Sequence, residues 1–156
     1  MGARIAIDGL KVENGEPVGN LTVESSDLSG IDVRGRWIAY LIDEIPILTV
    51  LGARTRNGIR IREAGELRTK ETDRIRALVQ NLKALRVDVE EFEDGLYVPG
   101  GQTIRGGTVD SFGDHRIAMA FAVAGLFAED PVNILNASCV SVSFPGFFEL
   151  LKQVAG

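Results

Sequence analysis

The pentapeptide DGLYV (Asp94–Val98) nearly repeats DGLKV (Asp8–Val12), and each copy follows a segment in which polar and apolar residues alternate. Asp-Gly between such segments is a strong sequence signal for a β-hairpin. The repetition continues, because RGGTV (Arg105–Val109) corresponds to GNLTV (Gly19–Val23) at the same separation. We therefore expect a fold built from copies of one supersecondary unit.

The helical and extended segments between these hairpins also repeat in the same order. Each complete unit reads as strand, helix, strand, helix and closing hairpin, which predicts an α/β fold. The last helix is expected to begin at Ser143, with Pro145 in its first turn. The matching segments, in chain order, are Ile42–Ala53 with Gly113–Ala128, Gly58–Glu63 with Pro131–Asn136, and Thr69–Leu85 with Ser143–Gly156.

The repeat predicts one partial domain over residues 1–156. Residues 1–27 form the closing hairpin of a truncated unit, residues 28–99 a complete unit, and residues 100–156 a final unit. This order favours the hypothesis that the chain is the C-terminal part of a longer protein, and the alternative is a natural short protein of two units and a part. The truncated unit should leave apolar surface exposed near the first hairpin, which favours self-association.

Composition limits the classes of function. The chain has 156 residues, of which 45% are hydrophobic and 25% charged, as in globular proteins. Its formal net charge of −5 argues against nucleic acid or a membrane surface as partner. A single cysteine, Cys139, excludes an internal disulfide and a cysteine-based zinc site. Because no apolar run approaches about 18 residues, no spanning helix is expected. The single cysteine favours an intracellular protein, and we expect the bacterial cytoplasm, with a plastid version as the alternative.

One predicted helix carries cations near its N-terminal end. Apolar residues recur at helical spacing from Ile75 to Leu85, and the stripe extends back to Glu71 and Arg74. The helix dipole favours Glu71 at this end but disfavours Lys70 and Arg74. A local ion pair between Glu71 and Arg74 is the ordinary explanation. An anion bound at this helix end is the alternative.

A second helix shows the same feature. Asp114 is a plausible N-cap, and the sequence is apolar from Ile117 onward, so the helix should be buried. Its remaining polar residues, His115 and Arg116, stand at the N-terminal end. A histidine there is ordinarily satisfied by core neighbours, but an arginine in the first turn of a buried helix again points to an anion.

A third helix has Pro46 in its first turn, preceded by Asp43 and Glu44. Asp43 could cap this helix or act as a base at the edge of a cavity. If the units pack about a pseudo-axis, the three helix ends meet at one site for a small phosphorylated or carboxylated molecule. Two carboxylates there could transfer protons. The groups expected to meet are Asp43, Lys70, Glu71, Arg74, His115 and Arg116.

Five motifs resemble, in order and along the whole chain, the C-terminal part of the 5-enolpyruvylshikimate-3-phosphate synthase family. They are LIDEIPIL, ELRTKETDRI, EEFEDGLYVPG, DSFGDHRIAMAFA and SFPGFFELL. The resemblance implies βαβαββ units about a pseudo-threefold axis, with helices inside and sheets outside. It also implies that the whole protein has two domains and well over twice this length. This chain would then be an incomplete part of one domain.

The resemblance implies a 3-phosphoshikimate 1-carboxyvinyltransferase of the shikimate pathway, which leads to chorismate and the aromatic amino acids. Such an enzyme transfers the enolpyruvyl group of phosphoenolpyruvate to the 5-hydroxyl of shikimate 3-phosphate and releases phosphate, by addition and elimination without a metal or other cofactor. Asp43 would accept the hydroxyl proton, and Glu71 would protonate the methylene carbon. The implied substrate-binding residues are Lys70 for shikimate 3-phosphate, and Arg74, Arg116 and the adjacent His115 for phosphoenolpyruvate.

Two positions depart from the family pattern, since some members carry lysine where this chain has Val142 and asparagine where it has Glu66.

The implied partner is the missing N-terminal part of the same enzyme, without which the chain should be inactive. Three alternatives remain: a transferase acting on UDP-N-acetylglucosamine, a non-catalytic anion-binding module and a purely structural repeat module. The acidic KETDR motif argues against the first.

Overall fold

The computed structural model describes residues 1–155, and Gly156, the last residue of the third predicted segment, lies outside them. Helices and strands alternate along the chain, which confirms the α/β class. The strands are β1 (Arg4–Glu13), β2 (Glu16–Glu24), β3 (Ile31–Val33), β4 (Ile59–Ile61), β5 (Glu90–Phe92), β6 (Gly95–Val98), β7 (Gly107–Asp110) and β8 (Val132–Leu135). The helices are α1 (Arg36–Leu41), α2 (Ile45–Gly52), α3 (Arg74–Ala84), α4 (His115–Gly125), α5 (Val140–Ser143) and α6 (Phe147–Ala155).

The strands form three separate sheets. β1 and β2 pair as an antiparallel hairpin, and β7 and β8 pair in parallel. The third sheet has the order β3-β4-β6-β5, in which β3 and β4 are parallel and the other neighbours antiparallel. Each sheet falls within one of the three predicted segments, although the division of the chain into units stays a prediction.

The core lies between the helices and one face of the four-stranded sheet. Ile59 and Ile61 of β4 and Leu96 and Val98 of β6 are fully buried in one cluster with residues of α2 and α3. On the other face, the guanidinium of Arg60 lies 4.2 Å from the ring centroid of Tyr97. Helices therefore lie on the inner face of this sheet and solvent on the outer face, as expected.

Helix α3 starts later than its hydrophobic pattern predicted. Asp73 has an extended backbone, and its side chain accepts a hydrogen bond from the backbone N–H of Arg76 at 2.9 Å. This is N-cap geometry, so α3 begins at Arg74. Lys70 and Glu71 therefore precede the helix instead of lying in its first turn, and a short 3₁₀ helix over Gly65–Thr69 comes before them.

The first predicted hairpin turn is wrong, and the second is right. Asp94 stands between β5 and β6, where a turn was expected. Asp8 and Gly9 instead lie inside the continuous strand β1, at an irregularity in its pairing with β2. The chain reverses at Asn14 and Gly15, whose φ angles of 52° and 86° suit the two central residues of a type I′ turn.

The C-terminal region also departs from expectation. The helix predicted to begin at Ser143 is divided, because α5 ends at that residue and α6 begins at Phe147. Pro145 has no backbone N–H to continue the first helix, and Gly146 has a φ angle of 83°. Within residues 1–155, no helix has the length and apolar character needed to cross a membrane.

Candidate active site

Arg74, the first residue of α3, is the centre of a network of carboxylates. Its side chain is 1% exposed. Nε donates to Oδ2 of Asp114 at 2.7 Å, one terminal nitrogen to Oδ1 of Asp43 at 2.9 Å, and the other to Oε2 of Glu71 at 2.7 Å. Asp43 precedes α2, and Asp114 precedes α4. The predicted meeting of three helix N-termini is therefore confirmed.

These carboxylates explain how a guanidinium can be buried here. Burial alone disfavours a charged group, and a buried charge is tolerated where it is paired and hydrogen-bonded. Burial works to lower the pKa of Arg74, but the hydrogen bonds to Asp114 and Asp43 and the negative charges of Asp114 and Glu71 together outweigh it, so the pKa is raised above its ordinary value. Arg74 is thus a permanent cation that holds three acidic side chains in place.

Asp114 connects α4 to Arg74. Its Oδ1 accepts the backbone N–H of Arg116 at 2.8 Å and that of Ile117 at 3.3 Å, which confirms the predicted N-cap. Its Oδ2 accepts the bond from Arg74, and its side chain is 0% exposed. Sequence reasoning found the cap but missed the partner, because no local spacing relates Asp114 to a residue on another helix.

Arg116 is the second arginine in contact with Asp43. One of its terminal nitrogens donates to the backbone carbonyl of Asp43 at 2.9 Å and to Oε1 of Glu44 at 3.1 Å. The other lies 3.5 Å from Oδ2 of Asp43. The hydrogen bond from Arg74 lowers the pKa of Asp43, partial burial opposes this, and the charge of Arg116 lowers the pKa further. Asp43 is therefore held as a carboxylate between two guanidinium groups.

Lys70 and His115 lie at the margin of this network. The ammonium of Lys70 is 2.9 Å from Oε1 of Glu66, and its charge also contributes to the lowered pKa of Asp43. His115 is the first residue of α4 and is partly exposed. Within residues 1–155, no hydrogen bond joins its imidazole to the network. The structure therefore brings four of the six predicted residues into direct contact and places two beside them.

The sequence predicted a site in which cations outnumber carboxylates, and the structure shows a different balance. Each of the three cations is bonded to carboxylates, and three of these carboxylates, those of Glu44, Glu66 and Asp114, were not predicted to be partners. An anionic ligand must therefore compete with side chains that already occupy the cations. The sequence could have indicated Glu44 as a residue of the site, because Glu44 is adjacent to Asp43 and both precede the same helix.

A small cavity of about 180 Å³ opens beside Arg116, between α2, α4 and α6. Asp43, Glu44 and Arg116 form its polar end, and apolar side chains line the rest. Sites for drug-sized ligands usually span roughly 300–1,000 Å³. The cavity is thus too small for two substrates, and a complete site requires further walls.

Fold and site together define an α/β protein with a charged centre where α2, α3 and α4 begin. A family model described as EPSP synthase (3-phosphoshikimate 1-carboxyvinyltransferase) matches residues 1–151. The 3-phosphoshikimate 1-carboxyvinyltransferases of Solibacter usitatus and Salinibacter ruber are 53% and 51% identical to the chain over 99% of its length. A solved EPSP synthase structure from Acinetobacter baumannii matches 98% of the chain with a TM-score of 0.91 and 33% identity.

The chain belongs to the EPSP synthase family. It spans 36% of the length of each of these two relatives and 36% of the solved Acinetobacter chain. The family assignment confirms the resemblance found in the sequence and argues against the transferase acting on UDP-N-acetylglucosamine. The activity and substrates of the relatives belong to their whole length, of which this chain matches 36%.

Proposed function

We propose that this chain supplies the acid–base groups of a 3-phosphoshikimate 1-carboxyvinyltransferase. The observation that carries the proposal is the bonding of Asp43 and Glu71 to the two terminal nitrogens of one guanidinium, that of Arg74. The two carboxylates are thereby held side by side. Their side chains are 47% and 48% exposed, so a ligand can reach both. Two accessible proton-transfer groups at one centre suit a reaction in which two protons move.

In the proposed reaction, the 5-hydroxyl oxygen of shikimate 3-phosphate bonds to C2 of phosphoenolpyruvate. Asp43 accepts the hydroxyl proton, and protonated Glu71 delivers a proton to the methylene carbon, giving a tetrahedral intermediate. In the second step the new methyl carbon returns a proton to Glu71, the bond from C2 to the phosphate oxygen breaks, and the leaving phosphate takes up the proton held by Asp43. Atoms balance without any electron donor or acceptor.

The lowered pKa of Asp43 makes it a weak base while both arginines hold it. We propose that a substrate anion removes this restraint. Arg116 is 30% exposed, so a phosphate or carboxylate group of phosphoenolpyruvate can take its donors from Asp43 and Glu44. Loss of that partner raises the pKa of Asp43 towards its ordinary value. Substrate binding would thus activate the base.

The other binding roles follow the same geometry. Lys70 would contact shikimate 3-phosphate once Glu66 releases it, and His115 would lie beside phosphoenolpyruvate. Arg74 has three of its five N–H groups bonded to carboxylates. Two remain for phosphoenolpyruvate, although the side chain is almost fully buried.

Catalysis would require more than this chain. The substrates are anions, and the cations present are already paired with carboxylates, so further cations and further walls must come from another polypeptide segment. The chain covers 36% of the length of its relatives, whose remaining part is the natural source. We therefore propose that the chain acts in the cytoplasm with that remaining part, and that alone it is inactive.

A chimera tests the proposed function. In the Solibacter usitatus relative, the matched third is replaced by this chain, and phosphate release from phosphoenolpyruvate and shikimate 3-phosphate is measured. Asp43→Asn and Glu71→Gln should each lower kcat by about 10²–10⁴-fold, as for general acid–base groups. Glu90→Gln, on the exposed strand β5, is the matched control and should leave turnover unchanged. Full turnover in either site variant would refute the acid–base roles.

A further inference from the structure

Arg68, the first arginine of the ELRTKETDRI motif, makes four hydrogen bonds in two directions. One terminal nitrogen donates to Oδ2 of Asp73 at 2.8 Å, five residues further along the chain. The other donates to Oε1 of Glu91 at 3.0 Å and to the backbone carbonyl of Phe92 at 2.7 Å. Nε donates to the carbonyl of Glu93 at 2.7 Å. One side chain thus joins the start of α3 to the β5–β6 hairpin.

Asp73 divides its two carboxylate oxygens between α3 and Arg68. Oδ1 accepts the backbone N–H of Arg76 at 2.9 Å, which caps the helix, and Oδ2 accepts the bond from Arg68. Asp114 has the same arrangement, since one of its oxygens caps α4 and the other binds Arg74. The two arginine–cap pairs therefore act in series. Arg68 fixes the start of α3, and Arg74, the first residue of α3, fixes the start of α4.

The residues between Arg68 and Asp73 include the proposed proton donor. Residues 70–72 carry Lys70 and Glu71 and follow the short 3₁₀ helix directly. Within residues 1–155, no hydrogen bond reaches the backbone N–H or C=O groups of residues 70–72. The backbone of this segment therefore takes its path from its two ends, and the bond between Arg68 and Asp73 ties those ends together.

Arg68 is a firm anchor because its cation is partly buried and bonded several times. Its side chain is 27% exposed, and those of Asp73 and Glu91 are 32% and 37% exposed. Burial works to lower the pKa of Arg68, but the hydrogen bonds to Asp73 and Glu91 and their negative charges outweigh it and raise the pKa. A guanidinium presents five N–H donors in a fixed plane, whereas a lysine ammonium is a single point charge. Four acceptors in two directions therefore require arginine at this position.

We propose that Arg68 is a positioning residue, which holds Lys70 and Glu71 at the charged centre by tying the N-cap of α3 to the β5–β6 hairpin. The inference rests on the proposed function, because the roles of Lys70 and Glu71 belong to it. A displacement of about 1 Å in a reacting group can lower a rate about 100-fold. Without the Arg68 bond, a mobile segment would misplace the proton donor without removing it.

The two substrates should respond differently to the loss of Arg68. Lys70, the proposed contact of shikimate 3-phosphate, moves with residues 70–72, whereas Arg116 is held on α4 by its own bonds. For Arg68→Met in the chimera with the Solibacter usitatus relative, we expect kcat to fall about 10–100-fold. KM for shikimate 3-phosphate should rise about fivefold or more, and KM for phosphoenolpyruvate should change less than about twofold. A purely structural role would reduce the amount of folded enzyme and leave both KM values unchanged.

Asp73→Asn separates the ion pair from the helix cap. Asparagine is as good an N-cap as aspartate, so α3 should begin at the same residue while the carboxylate bond to Arg68 is lost. This variant should reproduce the kinetic changes of Arg68→Met. The double variant should add little to either change alone, because both substitutions remove the same bond.

Arg62→Met is the matched control. Arg62 also contacts the β5–β6 hairpin, since its guanidinium lies 3.8 Å from Oδ1 of Asp94, but it makes no bond to the cap of α3. Its loss should change kcat and both KM values by less than about twofold, as for a substitution away from the site. Circular dichroism melts of the three single variants show whether each is folded at the assay temperature.

NMR relaxation of the full 156-residue chain provides a measurement that does not depend on turnover. In Arg68→Met and Asp73→Asn, the backbone order parameters of residues 70–72 should fall from about 0.85, typical of a rigid backbone, to below about 0.6. The order parameters of α3 should stay unchanged in both variants, and those of residues 70–72 should stay unchanged in Arg62→Met.

The outcomes separate this inference from the proposed function. Unchanged order parameters in Arg68→Met would overturn the inference, as would mobile residues 70–72 in a chimera with unchanged kinetics, and in either case an active chimera would leave the proposed function intact. A chimera that releases no phosphate before any substitution would refute the proposed function. The order parameters of residues 70–72 would then still decide whether Arg68 holds this segment.

Discussion

Arg74 and Asp114 are forty residues apart in the chain, yet Nε of the first and Oδ2 of the second are joined at 2.7 Å with both side chains buried. This bond fastens the start of α3 to the start of α4. It lies behind Asp43 and Glu71, which occupy the remaining edge of the same guanidinium. The orientation of the proposed acid and base therefore depends on a buried contact between two helix ends.

Removing Asp114 should destabilise the chain strongly. Asp114→Ala leaves Arg74 buried without its innermost partner and removes the N-cap of α4, so we expect a loss of about 3–5 kcal/mol in the free energy of unfolding. Urea denaturation measures it. Glu44→Gln, which removes an exposed partner of Arg116, should cost less than about 1 kcal/mol. A small effect of Asp114→Ala would mean that water reaches Arg74 and replaces the carboxylate.

Arg74→Met should change the pH dependence of stability. The pKa of Asp43 is lowered from its ordinary value of 3.8, chiefly by the hydrogen bond from Arg74. The contribution of the Asp43 carboxylate to the free energy of unfolding is therefore complete above pH 3.8, and it is lost as the pH falls through the lowered pKa. The variant lacks this contribution, so its stability difference from wild type should be large at pH 7 and shrink towards pH 3. Urea denaturation between pH 3 and pH 7 measures this difference. A difference in the free energy of unfolding that stays constant with pH would contradict the prediction.

Arg116→Gln should weaken the use of phosphoenolpyruvate in the chimera. Arg116 is the partly exposed cation of the network and can exchange its carboxylate partners for a ligand anion. We expect KM for phosphoenolpyruvate to rise at least tenfold, since a charge-assisted bond is lost. Arg60→Gln, which removes a cation from the outer face of the sheet, is the control. Steady-state kinetics with an unchanged KM would remove Arg116 from the binding site.

Gly95→Ala should disrupt the four-stranded sheet. A Cβ atom at Gly95 would overlap the backbone carbonyl of Ile61 on the neighbouring strand, so the strands must separate. We expect a loss of about 3 kcal/mol or more, at the upper end of overpacking effects. Gly65→Ala is the matched control, because a Cβ atom there meets nothing within 4 Å. Thermal melts of the two variants should differ clearly, and coinciding melts would contradict the close approach of the strands.

The regular elements could be predicted from the sequence because their signals are local. The proline at the start of α2, the cap at Asp114 and the apolar periods of α3 and α4 each depend on residues within a few positions. The errors arose where one motif serves two purposes. The Asp-Gly at Asp94 turns the chain, whereas the same pair at Asp8 forms a bulge. The first hairpin instead turns at Asn14-Gly15, a hairpin signal of the same strength.

The sequence by itself determined the repeat, the α/β class, the family and the residues that would gather at the helix ends. The local pair of Glu71 with Arg74, three positions apart, could be predicted from the sequence. The tertiary structure alone decided the other pairs: Arg74 also binds Asp43 and Asp114, thirty-one and forty positions away, and these separations follow no helical or strand period. Charge pairing depends on which helix ends meet and on how completely water is excluded there, and both are properties of the packed core.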